Sequence, residues 1–370
     1  MKIIEIIPQL SSGGAERFTV DLCNELSKQH KVILIVLHKL NKNGLFLKDL
    51  KTSVELICMN KRKGLDFTLF FKLKRLIISK HPDIVHTHLS GILYTAFAYL
   101  IKSTKIVFIH TIHSDAKAEA GNNIKKWIRL YAFKSQKVHP VTISEESQQS
   151  FYRFYQRPSA LIYNGTTPFL GENNERQKEI QAELNNLKAN RSSVNLLNVA
   201  RIAPEKNLIM LSQAIIHLNK IGYSIDLFFI GRKDSEITST IESFNSPYLH
   251  LLGERINPRN YMKEVDAFCL SSIYEGMPIT LIECFSVGTI PICTPVGGIV
   301  NMIEDKKNGF LSQGTNQIDI EQAIKLFIET STENKIQISK NSYKTFQKYH
   351  IKTCAEKYIQ LINSLSQNNI

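Results

Sequence analysis

Two carboxylates eight residues apart bracket a tight turn in Tyr274-Glu275-Gly276-Met277-Pro278-Ile279-Thr280-Leu281-Ile282-Glu283, directly after the largely apolar run Val265 to Leu270. Gly276 permits a sharp turn, and Pro278 is tolerated in the first turn of a helix expected to hold Ile279 to Ser286. Unpaired N–H groups around Met277–Thr280 then point at whatever ligand lies beyond the strand end. Taken alone, Glu283 also reads as an exposed helix carboxylate, and Glu275 as an acid favoured by the helix dipole. A second loop, Asn198-Val199-Ala200-Arg201-Ile202-Ala203-Pro204-Glu205-Lys206-Asn207, carries two cations five residues apart. The Arg201 fork and the mobile Lys206 charge, brought together by a bend at Pro204, suit one pyrophosphate. Solvated surface cations, or a pair with Glu205, are the alternative. A third loop, Ser11-Ser12-Gly13-Gly14-Ala15-Glu16-Arg17, places paired glycines before a helix. Gly13 and Gly14 let the backbone approach a ligand closely and offer helix N–H groups to an anion, or simply make a tight strand–helix turn. The dinucleotide fingerprint G-x-G-x-x-G is absent from this loop.

These loops need a scaffold of strands. Short β-branched runs recur at Ile3–Ile7, Val32–Leu37, Val54–Ile57, Ile84–His86 and Ile106–Ile109, with helical patterns such as Ala15–Gln29 and Thr68–Lys80 between them. The rhythm restarts at Val194–Val199 and runs through Ile225–Ile230, Leu249–Leu252, Ala267–Leu270 and Ile290–Cys293. Such alternation predicts α/β architecture with two doubly wound parallel sheets, ligands lying at the C-terminal strand ends between two halves. At 370 residues the chain is long enough for two cores. The expected division is a first domain over 1–165, a polar linker over 166–190, a second domain over 191–345, and a C-terminal helix over 346–370 packing back towards the first. The chain then ends in a helical pattern from about Lys340 to Leu365.

Arg201-x-x-Pro204-Glu205-Lys206 followed by Tyr274-Glu275-Gly276-x-Pro278…Glu283 resembles glycosyltransferase family 4, retaining enzymes of the GT-B type with two Rossmann-like domains facing an inter-domain cleft. Gly13-Gly14-Ala15-Glu16-Arg17, Pro82-Asp83-Ile84-Val85-His86-Thr87-His88, Thr111-Ile112-His113-Ser114, Tyr163-Asn164-Gly165 and Pro295-Val296-Gly297-Gly298 extend the likeness over nearly the whole chain. The resemblance implies a nucleotide-sugar donor in the second domain and an acceptor in the first. It implies that Glu275 bonds donor-sugar hydroxyls and Glu283 the ribose hydroxyls, each carboxylate accepting two hydrogens. Gly276, Met277, Pro278 and Ile279 line the donor loop, with Gly231 and Arg255 in two neighbouring loops. His113 stands near the donor sugar, with His110 a rival because the repeat His110-Thr111-Ile112-His113 allows a three-residue shift. His86 is expected to be structural. Where many relatives carry Gly-x-Gly-Pro, this chain reads Gly231-Arg232-Lys233-Asp234, which leaves the base open, uridine being the commoner choice.

Arg201 and Lys206 would then oppose charge growing on a leaving nucleoside diphosphate. No Asp-x-Asp appears in a strand-end loop, which fits a metal-independent enzyme without cofactor, the nucleotide-sugar being a co-substrate. His86, His88, His110 and His113 lack recognisable carboxylate partners or zinc-site spacing in sequence, so no metal is expected.

Residues 1–160 hold 25 Lys/Arg against 12 Asp/Glu, whereas 161–370 hold 21 of each, so the whole excess of +13 lies in the first half. That asymmetry calls for an anionic partner of one domain. On Ile124-Lys125-Lys126-Trp127-Ile128-Arg129-Leu130-Tyr131, the apolar Ile124, Trp127, Ile128 and Tyr131 share a face, and the basic, aromatic stretch Lys61 to Arg75 repeats the mixture. Packing against the sheet is the expected reason for those apolar positions, lipid contact the alternative. The charge favours a cytoplasmic enzyme peripheral on the inner face of the cell membrane. Its acceptor is then a saccharide or polyprenyl-linked saccharide of bacterial surface polysaccharide, and nucleic acid is disfavoured for want of a binding motif. The six scattered cysteines suit reduced core thiols. The N-terminus, interrupted by Glu5 and Pro8, does not read as a signal peptide. A nucleotide-sugar 2-epimerase and a non-catalytic partner subunit of the same architecture are the competing readings.

Overall fold

The computed structural model describes the chain except residues 12, 41–45, 100–105, 122, 172–173, 191, 233–234 and 368–370. It divides into two compact units, Met1–Thr167 with Tyr349–Ile370, and Pro168–Lys348. The first unit is built on strands β1 (Lys2–Ile7), β2 (Lys31–Val36), β3 (Val54–Cys58), β4 (Ile84–His88), β5 (Val107–Ile112), β6 (His139–Thr142) and β7 (Ala160–Leu161), all parallel, in the order β3-β2-β1-β4-β5-β6-β7. Ile3, Ile4, Ile6 and Ile7 are all buried, as a strand covered on both faces requires. Helix Phe67–Lys80 turns Leu69, Phe70, Leu73 and Ile77 inward at helical spacing. Truncating the fully buried Leu73 to Ala would cost about 2–5 kcal/mol. The strand order reverses between β1 and β4, where Glu5 pairs in register with His86.

The second unit repeats the design with β8 (Val194–Val199), β9 (Ile225–Ile230), β10 (Leu249–Gly253), β11 (Ala267–Leu270), β12 (Ile290–Cys293) and β13 (Phe310–Leu311), parallel in the order β10-β9-β8-β11-β12-β13. Its reversal lies between β8 and β11, and the Asn198 amide clamps it by donating to the Cys269 carbonyl at 2.8 Å. Helix Asn174–Leu187, within the segment read as a linker, belongs to this unit and buries Ile180 and Leu184.

Three strands escape the sequence pattern. β6 carries Pro140 among polar neighbours, and β7 and β13 are two residues each, too short for a periodic signal. The C-terminal pattern is two helices, Thr332–Thr345 and Ile351–Gln367, separated by a 3₁₀ turn at Phe346–Tyr349. The second of these belongs to the first unit, packs on helix Gly14–Leu26 and buries Tyr358.

The expected packing of the basic amphipathic helix holds at Ile128, which lies against the core, and fails at its other three apolar positions. On helix Asn123–Lys134, Ile124 and Trp127 are each 68% exposed and Tyr131 54%, while Arg129, Ala132 and Phe133 face inward. Periodicity locates an apolar face but not what covers it. Helix Ala96–Tyr99 packs against both this helix and Phe67–Lys80, and joins exposed Phe97 to exposed Phe71 with ring centroids 5.2 Å apart.

Candidate active site

In the second unit the loops after β8 and β11 are stitched together. Ser271 donates from its hydroxyl to the Lys206 carbonyl at 2.9 Å, and Ile273 N–H to the Glu205 carbonyl at 2.9 Å. This brings Lys206 Nζ to 2.6 Å from Glu275 Oε1, which also accepts from Ser272 Oγ at 2.6 Å. Both side chains are largely shielded, 16% and 8% exposed, so their attraction is only weakly screened by water. Helix Ile279–Val287 begins immediately beyond with Pro278 at its N-cap and no side-chain cap, leaving its first N–H groups available to an anion. Gly276 carries the turn and its carbonyl accepts from Gly298 N–H at 2.8 Å. Met277, Pro278, Ile279 and Glu283 are buried around this turn and its helix.

The other predicted residues stand differently. Arg201 lies on the same loop as Lys206 but is 61% exposed and pairs with Glu205 Oε1 at 2.8 Å, the alternative the sequence left open. Gly231 is required by packing: a Cβ there would fall 1.8 Å from the Ala200 carbonyl oxygen. Arg255 is held by Glu183 Oε1 at 2.6 Å and the Tyr261 hydroxyl at 3.0 Å, tying its loop to helix Asn174–Leu187. In the first unit, Gly13 caps helix Gly14–Leu26, and the Glu16 carboxylate folds back over it. Glu16 accepts from Ser11 Oγ at 2.8 Å and occupies the space a Cβ at Gly13 would take unless its carboxylate swung aside, while Gly14 is exposed.

The first unit's reversal point holds a cluster that sequence reading missed. Glu5 Oε2 lies 2.9 Å from His86 Nδ1 and 2.9 Å from His88 Nε2, and all three residues are buried. The statement that these histidines lack a carboxylate partner is therefore corrected: Glu5 is that partner, brought from 83 residues away by the β1–β4 pairing. A charge inside the otherwise apolar strand Ile3-Ile4-Glu5-Ile6-Ile7 was the available signal, because buried glutamates are rare unless paired. The ligand atoms of Glu5, His86 and His88 lie within 4.8 Å of one another, the one grouping of three or more among the described residues with the reach to hold a metal ion. Their 2.9 Å separations are those of hydrogen bonds.

From this cluster His88 Nδ1 reaches His113 Nε2 at 3.0 Å, and His86 Nε2 reaches Thr111 Oγ1 at 2.8 Å. Burial alone would raise the Glu5 pKa, but His86 and then His88 outweigh it and bring it down to about 2. Burial, reinforced by His86, lowers His88 to about 4. Burial and the neighbouring His88 hold His113 well below the ordinary histidine value. His110 points elsewhere, between Thr87, Glu119 and the buried Arg129, and burial lowers it too. Of the two rivals, His113 is partly exposed and His110 is fully buried.

Residues 178–345 match the family profile described as "Glycosyl transferases group 1", and residues 12–168 that of "Glycosyltransferase Family 4". The chain belongs to glycosyltransferase family 4. Among curated members, an Escherichia coli UDP-Gal:α-D-GlcNAc-diphosphoundecaprenol α-1,3-galactosyltransferase is 26% identical over 78% of this glycosyltransferase and 76% of its own length. A Campylobacter jejuni α-1,4-N-acetyl-D-galactosaminyltransferase, named for a GalNAc-containing undecaprenol-diphosphate acceptor, is 25% identical over 98% of each chain. In three dimensions the family 4 chain superposes on Anabaena HepE in complex with UDP-glucose with a TM-score of 0.81 at 17% identity, covering 98% of this chain and all of the other. Its fold is GT-B.

Proposed function

We propose that this glycosyltransferase moves a hexose-type sugar from a UDP-sugar to a polyprenyl-linked saccharide during bacterial surface-polysaccharide synthesis, with retention at the anomeric carbon and without a metal. The observation that carries the reading is the shielded Lys206–Glu275 pair beside the uncapped start of helix Ile279–Val287. In the resting protein Glu275 neutralises Lys206. When a donor arrives, its diphosphate takes the Lys206 charge and the helix N–H groups, and Glu275 turns to sugar hydroxyls while Glu283 holds the ribose. Arg201 exchanges the exposed Glu205 for phosphate at little cost, since surface pairs are worth at most about 1 kcal/mol. As the sugar–phosphate bond breaks, an acceptor hydroxyl bonds the anomeric carbon on the face the phosphate leaves, and its proton passes to that phosphate. His113 bonds the transferring sugar. Cations and helix N–H groups aimed at the leaving diphosphate supply the stabilisation. The curated relatives support the donor and acceptor classes by their names.

The basic first half supports action at an anionic membrane surface. Trp127, Tyr131, Phe67, Phe71 and Phe97 are exposed among lysines and arginines, and no helix of the described residues is long and apolar enough to cross a membrane. Aromatic rings at the headgroup level with flanking cations are a peripheral anchor.

The reading is tested by assaying transfer from UDP-sugars to a synthetic polyprenyl-diphosphate saccharide. Transfer that needs the acceptor and releases UDP supports it. UDP release with epimerised free sugar would make the enzyme a 2-epimerase, and no nucleotide-sugar binding at all would make it a non-catalytic subunit.

A further inference from the structure

We propose that Glu5 is a positioning residue that acts through His88 to fix which nitrogen of His113 carries the proton, leaving His113 Nδ1 as a hydrogen-bond acceptor.

An ionised carboxylate has no hydrogen to give, so each ring nitrogen bonded to Glu5 must be the one carrying hydrogen. Glu5 is ionised near neutral pH, its pKa lying at about 2. Hence His88 donates from Nε2 at 2.9 Å, and His86 donates from Nδ1 at 2.9 Å. A neutral imidazole has a single N–H. His88 Nδ1 is therefore bare, and the 3.0 Å contact with His113 is made by the His113 Nε2 hydrogen. His113 is neutral as well, so its Nδ1 is bare in turn, and no described residue is hydrogen-bonded to it.

A second chain runs to the same carboxylate. The Tyr358 hydroxyl lies 2.7 Å from Thr111 Oγ1, which lies 2.8 Å from His86 Nε2. Two hydrogen-bonded chains thus converge on Glu5 Oε2. Packing keeps the rings from turning over: Phe18, fully buried, meets His88 at 6.0 Å and His113 at 5.8 Å between centroids, edge to face. The His113 backbone N–H is tied to Glu119 Oε2 at 2.9 Å.

The choice of residue supports the assignment. Glu5 Oε1 is buried without a hydrogen-bond partner, an expensive state for a carboxylate. Glutamine would fill the same volume uncharged. What the amide cannot supply is acceptance at both ends: turned over, it puts its NH₂ against the rings and lets His88 and His113 reverse together. A strand interior purely for stability has no use for that distinction; a histidine meeting sugar hydroxyls does. Among the four histidines, His113 is the one whose residue is partly exposed.

The consequence for transfer rests on the role of His113 given above, but the proton position does not. The decisive experiment therefore has two readouts on the full chain. In ¹⁵N-histidine-labelled protein, with His113 assigned by its loss in His113→Asn, the native ring should show a protonated Nε2 and a bare Nδ1. Glu5→Gln, free to present either end of its amide, should admit the opposite tautomer and give a reversed or averaged pattern. In the same variant kcat should fall about tenfold or more, with KM for the nucleotide-sugar held within about twofold. Tyr358→Phe breaks the other chain at a site just as buried. It should cost stability while leaving the His113 signals and kcat as in the native enzyme, which separates positioning from a general loosening of the core. A native His113 protonated at Nδ1, or a native pattern retained in Glu5→Gln, would overturn the proposal. So would a stoichiometric metal in the purified protein with metal-shifted His86 and His88 nitrogens. If the native enzyme transfers no sugar, the transferase reading fails and the ring spectra still decide this one.

Discussion

The two sheets reverse their strand order at equivalent places, and each puts its polar residues there, but in opposite ways. At β8/β11 the groups stand in loops beyond the strand ends, are charged, and meet in one ion pair, Lys206–Glu275, that a ligand can enter and replace. At β1/β4 they stand inside the strands, are fully buried, and are joined by hydrogen bonds that converge on Glu5, in the directions proposed above. Exchangeable charge suits binding and the stabilisation of a leaving group. Fixed direction suits the orientation of a side chain. The family 4 fold supplies both positions from one topology, and the local residues decide which use is made of each.

The strongest way to break this contrast is Lys206→Ala. Transfer should fall by about 10²-fold or more, the scale of removing one charge-stabilising group from a transition state. The lone Glu275 will also destabilise the second unit. In Lys206→Ala/Glu275→Gln the melting temperature should recover while transfer does not. Recovery of both would reduce the pair to a structural ion pair. Next in size is Glu283→Ala, expected to raise the nucleotide-sugar Kd about tenfold, as losing hydrogen bonds to a charged acceptor does. An unchanged Kd by calorimetry would remove Glu283 from the donor site.

Acid sharpens the contrast further. Every histidine whose pKa is pushed down, namely His30, His38, His88, His110, His113, His139 and His350, belongs to the first unit. A folded-state pKa below the unfolded one means the unfolded chain takes up the proton first as pH falls. Stability from His88 is thus complete above about 6.5 and is lost as pH drops through about 4. Glu5 and Glu119, both at about 2, add stability that is present above about 4.5 and lost on further acidification. Between pH 7 and 5, hydrogen-exchange protection of β4 and β5 should fall more than that of β8 and β11. Equal losses would contradict the assignment of neutral, buried histidines to one unit.

The smallest expected effect is at the exposed aromatic face. Trp127→Ala and Phe71→Ala should each weaken binding to anionic vesicles several-fold, an apolar side chain being worth about 1.5–3 kcal/mol when fully buried and less at an interface. Binding should also weaken with salt. Salt-independent binding, or none, would remove the membrane from the account.

What could be read in the sequence was what lies close together along it. The loops Arg201–Lys206 and Tyr274–Glu283 each carry their chemistry within ten residues, and the buried parallel strands announce themselves as β-branched runs. Glu5 did not, because its meaning depends on His86 and His88 across a strand pairing that no local pattern contains. Its charge in an apolar strand was visible, but its partners were not. Tyr358 and Thr111 meet over a still longer separation of 247 residues. Trp127 shows the converse limit: its helical spacing was legible, while its exposure depends on what does not pack upon it.

The central claim is that a nucleotide-sugar is held at the second reversal point by Lys206, Glu275, Glu283 and the start of helix Ile279–Val287. Calorimetric titration of UDP into the native protein, Lys206→Ala and Glu283→Ala tests it most directly. Saturable binding to the native chain, weakened in both variants, is the predicted result. Native-strength binding in both variants would contradict it.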